Sequence, residues 1–338
     1  MHPERPVGTA GSARPPIGFR RRNLVVLAVS LVALLAAACG QSPTPTPTQA
    51  AAATLEPTPT ASAVPTPSAV PTPTPNPLDA DLLDHRFTVL VVGEDVSAAR
   101  RARGYIGDNT DAMMVVSVSP GQKRVAMVSL PRDTVNIPLP NGQLWTGKVN
   151  AIANSYGIDV LRQAIADLLH IKIKYYVKVN MDDFVDLVDA VGGISVNVKT
   201  YVYEPRWGIN MAPGRVHLDG ITALHFARAR HYDSDYARAA RQQQVIHALA
   251  LKYTNRHTHI KVLRLFKTLA GLETNLPMDE LPTLMALARR AARTDYVTQV
   301  LMPPQFALAW GDQGDGRGWV MIPNVEAMRK QVRQMFGD

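Results

Sequence analysis

A proline- and threonine-rich stretch limits where this chain can form a folded core. Residues 40–77 contain 11 of the 26 prolines, no aromatic residue, and no lysine or arginine. Proline lacks the backbone N–H that helices and sheets use, so such repeats remain extended. We expect residues 40–80 to be a linker, acting either as a stiff spacer or as a plain disordered segment. Residues 81–338 are then the part that can bury one sizeable α/β domain.

The residues before this linker predict export and membrane attachment. Arginines 20–22 precede an apolar run from Leu24 to Ala38, and Cys39, the single cysteine of the chain, follows it. This pattern is typical of a signal peptide, and the run is shorter than the ~20 apolar residues of a spanning helix. We predict that residues 1–39 are a signal peptide with a lipobox and that Cys39 is lipidated. An uncleaved membrane anchor is the alternative, and either places the remaining chain outside the cytoplasm.

Composition excludes several classes of protein. One cysteine cannot build a disulfide framework or a cysteine-rich zinc site. Residues 78–338 contain 31 basic and 26 acidic residues, an excess too small for a general nucleic-acid binder. We therefore predict no nucleic-acid partner, although a local basic site for phosphate is compatible with this balance.

Hydrophobic periodicity predicts a fold in which strands and helices alternate. Short apolar runs with period two or none predict strands, and amphipathic runs predict helices. The predicted strands are 87–93, 113–119, 124–130, 175–179, 194–198 and 297–302. The predicted helices are 159–170, 182–191, 219–227, 236–253, 278–292 and one that begins at 324. Because a turn at 120–123 makes the second and third strands a hairpin, we predict an α-β-α layered sandwich with a mixed central sheet.

Polar residues lie where the loops meet these strands. Asp95 follows the first strand, Asp111 enters the second and Arg132 follows the third. Open α/β sheets bind ligands at the carboxyl ends of their strands, where Asp95 and Arg132 could meet. Asp111 would join them if its strand runs antiparallel to its neighbours.

Arginines cluster near the start of the helix predicted at 236–253. Arg238 and Arg241 are three residues apart and Gln242 is four from Arg238, so they share a helix face, and Arg228 and Arg230 approach from the preceding turn. Guanidinium groups and a helix N-terminus suit a multiply charged phosphate. Two carboxylates beside such a cluster make sense if Mg²⁺ bridges them to phosphate oxygens. The alternative is a solvated helix face with Asp233 and Asp235 as N-caps and surface ion pairs elsewhere.

The order of six sequence blocks resembles the LytR-CpsA-Psr family of bacterial cell-wall proteins. The resemblance covers about Phe87 to Tyr253, and residues 274–288 are similar to the region that follows this core in the family. We accordingly divide residues 81–338 into a core at about 87–253 and a C-terminal extension at 254–338. The blocks are VLVVGED, NTDAMMVVSVSP, VAMVSLPRDT, GKVNAIANSYG, DLVDAVGGISVNV and LDGITALHFARARHYDSDYARAARQQQVI.

The resemblance implies an extracytoplasmic, membrane-attached phosphotransferase that faces the cell wall. Such proteins transfer a glycopolymer from an undecaprenyl-pyrophosphate carrier to peptidoglycan, with Mg²⁺ bound through residues that match Asp95 and Asp111. It also implies an apolar groove for the polyprenyl tail, for which the candidates, unless they are ordinary core residues, are Phe184, Leu187, Val188, Val191, Ile221 and Leu224. By the same resemblance, the catalytic residues are Arg132, Arg228 and Arg230. The implied pyrophosphate-binding residues are Arg132, Lys148, Arg228, Arg230, Arg238, Arg241 and Gln242.

Two features leave other functions open. Asn109 stands where the family usually has arginine, and Arg100, Arg101 or Arg103 could replace that group. The family usually has a spanning helix near its N-terminus rather than a lipobox. A polyprenyl-pyrophosphate pyrophosphatase is one alternative function. A non-catalytic wall-binding lipoprotein is the other.

Overall fold

The computed structural model describes residues 78–105, 109–231, 233–255 and 257–337. The signal peptide, Cys39 and residues 40–77 of the linker lie outside these described residues. The first described helix begins at Ala80, capped by the Asp79 carboxylate, which accepts hydrogen bonds from the backbone N–H groups of Asp81 and Leu82. Among the described residues, no helix is long and apolar enough to cross a membrane.

Strands and helices alternate in the described part of the chain, where four short 3₁₀ turns join them. The strands are β1 (Phe87–Glu94), β2 (Thr110–Val118), β3 (Val125–Ser129), β4 (Ile137–Pro138), β5 (Leu144–Trp145), β6 (Tyr175–Val179), β7 (Ile194–Val198), β8 (Val202–Glu204), β9 (Ile209–Met211), β10 (Gly214–Leu218), β11 (Glu273–Thr274), β12 (Tyr296–Val300), β13 (Ala307–Asp312) and β14 (Trp319–Pro323). The helices are α1 (Ala80–Asp84), α2 (Ala98–Ala102), α3 (Ile152–Tyr156), α4 (Ile158–Leu169), α5 (Met181–Ala190), α6 (Gly220–Arg228), α7 (Asp235–Thr254), α8 (Val262–Gly271), α9 (Leu281–Ala291) and α10 (Val325–Phe336).

A six-stranded mixed sheet forms the centre of the fold, in the order β11-β6-β1-β2-β3-β12. β1 pairs antiparallel with β2 and parallel with β6, and β3 pairs antiparallel with β2 and parallel with β12. The predicted hairpin and the mixed sheet are therefore confirmed. The antiparallel pairing places the start of β2 beside the ends of β1 and β3, so residues predicted to bind a ligand share one edge of the sheet.

Helices cover both faces of this sheet, which confirms the α-β-α sandwich. One face, which includes Leu90, Val92 and Val115, packs against α4 and α10 in the largest buried cluster. On the opposite face, Val89 and Val118 pack with Leu287 of α9. Burial on both faces explains why β1 has an almost continuous apolar sequence.

A second layer of helices and short strands packs around α7. α5, α6 and α7 surround the β7–β10 hairpin, with Val188, Ile194 and Phe226 fully buried between them. Gly220 lets α6 approach α5 closely, because a Cβ atom at this position would lie 2.5 Å from the Val185 carbonyl oxygen. This packing sets the distance between the three helices and the sheet, and a cavity lies between them.

Candidate active site

A cavity of about 910 Å³ opens at the edge of the sheet where β1 ends and β2 begins. Its inner wall is apolar, and charged side chains line the rest. The apolar lining residues are Val91, Met114, Val179, Met181, Phe184, Leu187, Leu224, Val245, Ile246 and Leu249. Six arginines line it, namely Arg100, Arg103, Arg206, Arg228, Arg230 and Arg238. Six carboxylates line it as well, namely Glu94, Asp95, Asp111, Glu204, Asp233 and Asp235.

The apolar lining of this cavity includes only part of the residue set expected for a polyprenyl groove. Phe184, Leu187 and Leu224, three residues proposed for it from the sequence, line the cavity. Val188 and Val191 instead belong to the buried core between α5 and α7. Ile221 is exposed on α6 and does not line the cavity.

Asp95 lies at the centre of the charged end of this cavity. Its Oδ1 atom accepts a hydrogen bond from Arg228 Nη2 at 2.8 Å, and its Oδ2 atom lies 2.5 Å from Arg100 Nη1. The Asp95 backbone N–H donates to the Asn109 carbonyl oxygen at 3.3 Å, which ties the end of β1 to the start of β2. The Arg228 guanidinium is also stacked 4.8 Å from the centre of the Trp207 ring. Arg100 on α2 therefore adds a second cation to Asp95, the residue that is hydrogen-bonded to Asn109.

Asp111 and Arg132 form the second ion pair of the site. Arg132 Nη1 lies 3.0 Å from Asp111 Oδ1, and Arg132 Nε lies 3.4 Å from Asp133 and 3.2 Å from Asp235. Burial lowers the pKa of Arg132, but the three carboxylates outweigh burial and the net pKa is raised. Asp133, which is paired with Arg132, also pairs with Lys148 Nζ at 2.8 Å.

Asp235 joins three arginines, a role that the sequence did not reveal. Its carboxylate lies 3.1 Å from Arg230, 3.2 Å from Arg132 and 3.4 Å from Arg238. Burial raises the pKa of Asp235, but the arginines lower it more and the net pKa is below the usual value. The alternative in which Asp233 and Asp235 cap this helix is wrong, because the Ser234 side chain accepts a hydrogen bond from the Ala237 N–H and caps α7. Asp235 is thus the first residue of α7 and is free to bind arginine.

Arg238 is buried and only weakly partnered. Its Nη1 atom lies 3.4 Å from Asp235, its Nη2 atom lies 3.5 Å from the Asp111 carbonyl oxygen, and its Nε atom is buried with no hydrogen-bond partner among the described residues. Burial lowers the pKa of Arg238. A buried cation with a spare donor fits an anion that completes its hydrogen bonds.

Arg241 is not among the described residues that line this cavity. Its Nε donates to the Phe226 carbonyl oxygen at 3.1 Å, its Nη2 donates to the Ala229 carbonyl oxygen, and its Nη1 pairs with Asp233. Arg241 therefore fastens the end of α6 to α7, which positions Arg228 and Arg230. Gln242 does line the cavity and donates to the Ala227 carbonyl oxygen at 3.4 Å.

A smaller cavity of about 430 Å³ meets the first one at the arginine cluster. The two cavities share Asp111, Ala112, Asp235, Arg238 and Gln242. Arg132 and Lys148 line the smaller cavity, while Arg228 and Arg230 line the larger one. The structure therefore brings together every described residue predicted for the site except Arg241, and it distributes them over two connected cavities.

Asp95 and Asp111 are suited to a cation whose remaining ligands come from substrate phosphates. Asp95 and Asp111 line the same cavity from adjacent strands, and Mg²⁺ is usually held by one or two carboxylates together with phosphate oxygens. In the described part of the chain, no group of three or more His, Cys, Asp or Glu residues is arranged to hold a metal alone. The donor set suits a shared site of this kind, and Mg²⁺ stays a prediction.

Comparisons with known proteins agree with this architecture. The profile of the LytR_cpsA_psr family matches residues 56–334. Biofilm regulatory protein A of Streptococcus mutans is 30% identical over 265 residues, which cover 73% of this chain and 62% of that protein. The polyisoprenyl-teichoic acid–peptidoglycan teichoic acid transferase TagU of Bacillus licheniformis is 32% identical over 201 residues, which cover 58% of this chain and 61% of that protein. The chain thus spans about three fifths of these curated relatives.

A solved structure gives the same picture for the fold. The crystal structure of TagV from B. subtilis superposes with a TM-score of 0.58 at 26% sequence identity. The superposition covers 75% of this chain and 98% of that chain. The central mixed sheet and its two helical layers are therefore the fold of a known group of proteins.

Proposed function

Because the chain belongs to the LytR-CpsA-Psr family, we propose that it attaches a glycopolymer to peptidoglycan by phosphotransfer outside the cytoplasm. The proposed donor is the glycopolymer on an undecaprenyl-pyrophosphate carrier. The relative TagU, a protein named polyisoprenyl-teichoic acid–peptidoglycan teichoic acid transferase, supports this substrate class. The proposal includes membrane attachment through the N-terminal segment, with Cys39 as the lipidated residue.

One observation carries the proposal: the larger cavity is apolar along its inner wall and lined by arginines at the other end. A polyprenyl pyrophosphate has the same division, with a hydrocarbon tail and a doubly charged head. Each methylene group of the tail that leaves water contributes about 0.8 kcal/mol. The tail therefore favours the space between the sheet and helices α5 to α7, and this places the pyrophosphate at the sheet edge.

The arginines would hold the pyrophosphate oxygens in a fixed position. Arg228 and Arg230 face the larger cavity, Arg132 faces the smaller one, and Arg238 lies between them. The spare donor on Arg238 Nε suits the new charge on a phosphoryl oxygen. In phosphoryl transfer, catalysis consists almost entirely of such positioning and charge stabilisation.

Asp95 and Asp111 are the residues that would hold Mg²⁺ in this proposal. When bound, Mg²⁺ would neutralise charge on the pyrophosphate oxygens. The charge balance supports the assignment, since six arginines and six carboxylates line the larger cavity and leave no net positive charge for a dianion. The arginines now paired with Asp95 and Asp111 would then be available to phosphate oxygens.

The proposed reaction is a single displacement at phosphorus. A peptidoglycan hydroxyl oxygen, typically the 6-hydroxyl of N-acetylmuramic acid, bonds to the phosphorus that carries the glycan, and the bond from this phosphorus to the bridging pyrophosphate oxygen breaks. Undecaprenyl phosphate leaves with the bridging oxygen, and the glycan stays linked through a phosphodiester. The hydroxyl proton is lost to solvent, and Asp235, which lines both cavities and is ion-paired with three arginines, would position those arginines.

Two alternative functions are compatible with the same cavity. The first differs from glycopolymer transfer only in the acceptor. A pyrophosphatase would use water in place of the peptidoglycan hydroxyl in the same cavity. A non-catalytic wall-binding protein would bind the carrier without turnover, and Asn109 in place of arginine favours it. Arg100, placed 2.5 Å from Asp95, supports a catalytic role, because it adds a cation to the residue that is hydrogen-bonded to Asn109.

The test is a transfer assay with a synthetic polyprenyl-pyrophosphoryl glycan and purified peptidoglycan fragments. We expect Arg228→Ala to lower kcat by a factor of about 10²–10³, the usual effect of removing one donor to a transition-state oxygen. Arg264→Ala is the matched control, since Arg264 is also ion-paired and partly exposed but pairs with Asp186 outside the cavity. Equal activity in the two variants would refute the site, and donor cleavage that ignores peptidoglycan would favour the pyrophosphatase.

A further inference from the structure

The smaller cavity has features that the carrier and its pyrophosphate do not use. Beyond the arginine cluster, it extends between the loop after β3, the start of α7 and the β13–β14 hairpin. Lys148, Tyr236 and Trp319 line this part. None of these three side chains lines the larger cavity. The smaller cavity is therefore a separate compartment that meets the proposed pyrophosphate position.

Tyr236 places an unused polar group in this compartment. Its hydroxyl is buried and has no hydrogen-bond partner among the described residues. Burial, followed by the negative charges of Asp235 and Asp133, raises the pKa of Tyr236 to about 12, so the hydroxyl keeps its proton and can donate it. Buried polar groups in folded proteins are nearly always paired, so an unpaired hydroxyl next to a cavity indicates a missing polar partner.

Trp319 adds an aromatic surface at the mouth of the same compartment. The residue is 42% exposed on β14, and its ring centre lies 6.5 Å from that of Tyr236 at an interplanar angle of 58°. Such rings offer an apolar face together with a polar edge. A pyranose ring has the complementary surfaces, namely a face of C–H groups and a rim of hydroxyls. Lys148 and Asp133, which also line this cavity, contribute a charged donor and an acceptor.

We propose that the smaller cavity is the subsite for the acceptor sugar of peptidoglycan, with Trp319 against the sugar ring and the Tyr236 hydroxyl bonded to the sugar. This inference rests on the proposed function. In-line displacement requires the attacking and leaving oxygens on opposite sides of phosphorus. Two cavities that meet at Asp111, Asp235 and Arg238 provide this arrangement, with the carrier in one and the acceptor in the other.

Direct binding tests the subsite without any turnover. The probe is the disaccharide of N-acetylglucosamine and N-acetylmuramic acid, titrated calorimetrically into the full chain without donor. We expect saturable binding that Trp319→Ala weakens at least about tenfold, in line with the loss of one ring contact. Trp310→Ala is the matched control, because Trp310 lies on the same hairpin, is 48% exposed and does not line either cavity. Tyr236→Phe should weaken binding about threefold to tenfold through loss of one hydrogen bond.

Kinetics separate this subsite from the donor site. With transfer running, Trp319→Ala should raise KM for the peptidoglycan fragment and leave KM for the donor unchanged. If the disaccharide does not bind the wild type, or if both tryptophan variants behave alike, the subsite is refuted. A Trp319→Ala variant with a raised donor KM would refute it too, since the cavity would then belong to the donor. Disaccharide binding that depends on Trp319 in a chain with no transfer activity would instead refute the proposed function and leave the subsite standing.

Discussion

Replacing Arg238 with methionine should stabilise the fold and abolish transfer. Arg238 is held in place by a 3.4 Å ion pair, a 3.5 Å contact to a carbonyl oxygen and no partner for Nε among the described residues. Its side chain is 8% exposed. The lowered pKa means that the charged guanidinium is less favourable in the fold than in water. Methionine has a similar length and no charge, so it removes this cost.

The expected gain in stability depends on the ion pairs that Asp235 keeps after the substitution. After Arg238→Met, Asp235 still pairs with Arg230 and Arg132, so no carboxylate is left alone. Replacing buried ion pairs with apolar side chains is often neutral or stabilising by about 1–4 kcal/mol, and removal of one partner destabilises where it leaves a buried charge alone. We expect about 1–3 kcal/mol, which corresponds to a rise in Tm of roughly 2–10 °C for a domain of this size. Transfer should fall by a factor of about 10²–10³.

Arg241→Met is the matched control, one helical turn along α7. Arg241 is buried to the same degree, but its nitrogens bond two backbone carbonyl oxygens and Asp233. The same change should therefore destabilise by about 3–5 kcal/mol, because it leaves buried acceptors without partners. Urea unfolding of both variants measures the contrast. If Arg238→Met loses as much stability as Arg241→Met, Arg238 is a structural tie and the assignment of its spare donor to a phosphate is wrong.

Three further changes probe the packing, the charge cluster and the cation. Gly220→Ala should lower the free energy of unfolding, measured in urea, by about 2–4 kcal/mol because its Cβ would lie 2.5 Å from the Val185 carbonyl oxygen. Gly271→Ala is the control and should cost no stability, because no atom lies within 4 Å of a Cβ at that position. Asp235 has a lowered pKa, so its contribution to stability is full above about pH 4, the unfolded value, and is lost as the pH falls through the folded value. Asp235→Asn should accordingly flatten the loss of Tm between pH 5 and pH 2, and an unchanged profile would contradict the pairing. EDTA should abolish transfer and MgCl₂ should restore it, and full activity in EDTA would show that no cation is required. Asp111→Asn should weaken Mg²⁺ binding, measured by calorimetry with inorganic pyrophosphate present.

The central sheet and its main helices could be predicted because their hydrophobic periodicity is strong. β1, β2, β3 and β6 lie within a few residues of the predicted strands. α2 was missed because its sequence AARRA has no apolar stripe, and its position depends on a hydrogen bond from the Ala98 N–H to the Asp182 carboxylate at 2.6 Å. The β13–β14 hairpin was missed because its glycines obscure the alternation, yet it carries Trp319.

The residue types of the site could be predicted, but their partners could not. Helical spacing correctly placed Arg238 and Arg241 on one face of α7. It could not show that the end of α6 packs against Arg241 and leaves Arg238 to the cavity, because that contact joins two separate helices. Nor could spacing show that Ser234, rather than Asp233 or Asp235, caps α7, which leaves Asp235 to join three arginines. Its i, i+3 spacing to Arg238 was the available signal.

Identification of the reaction product shows most directly whether this protein transfers a glycopolymer to peptidoglycan. The full chain is incubated with a polyprenyl-pyrophosphoryl glycan and peptidoglycan fragments, and phosphorus-31 NMR with mass spectrometry follows both phosphorus atoms. We expect one phosphodiester between the glycan and a peptidoglycan sugar for each polyprenyl monophosphate released, and no release of polyprenyl monophosphate without the acceptor. Free glycan phosphate formed at the same rate with or without peptidoglycan would contradict it.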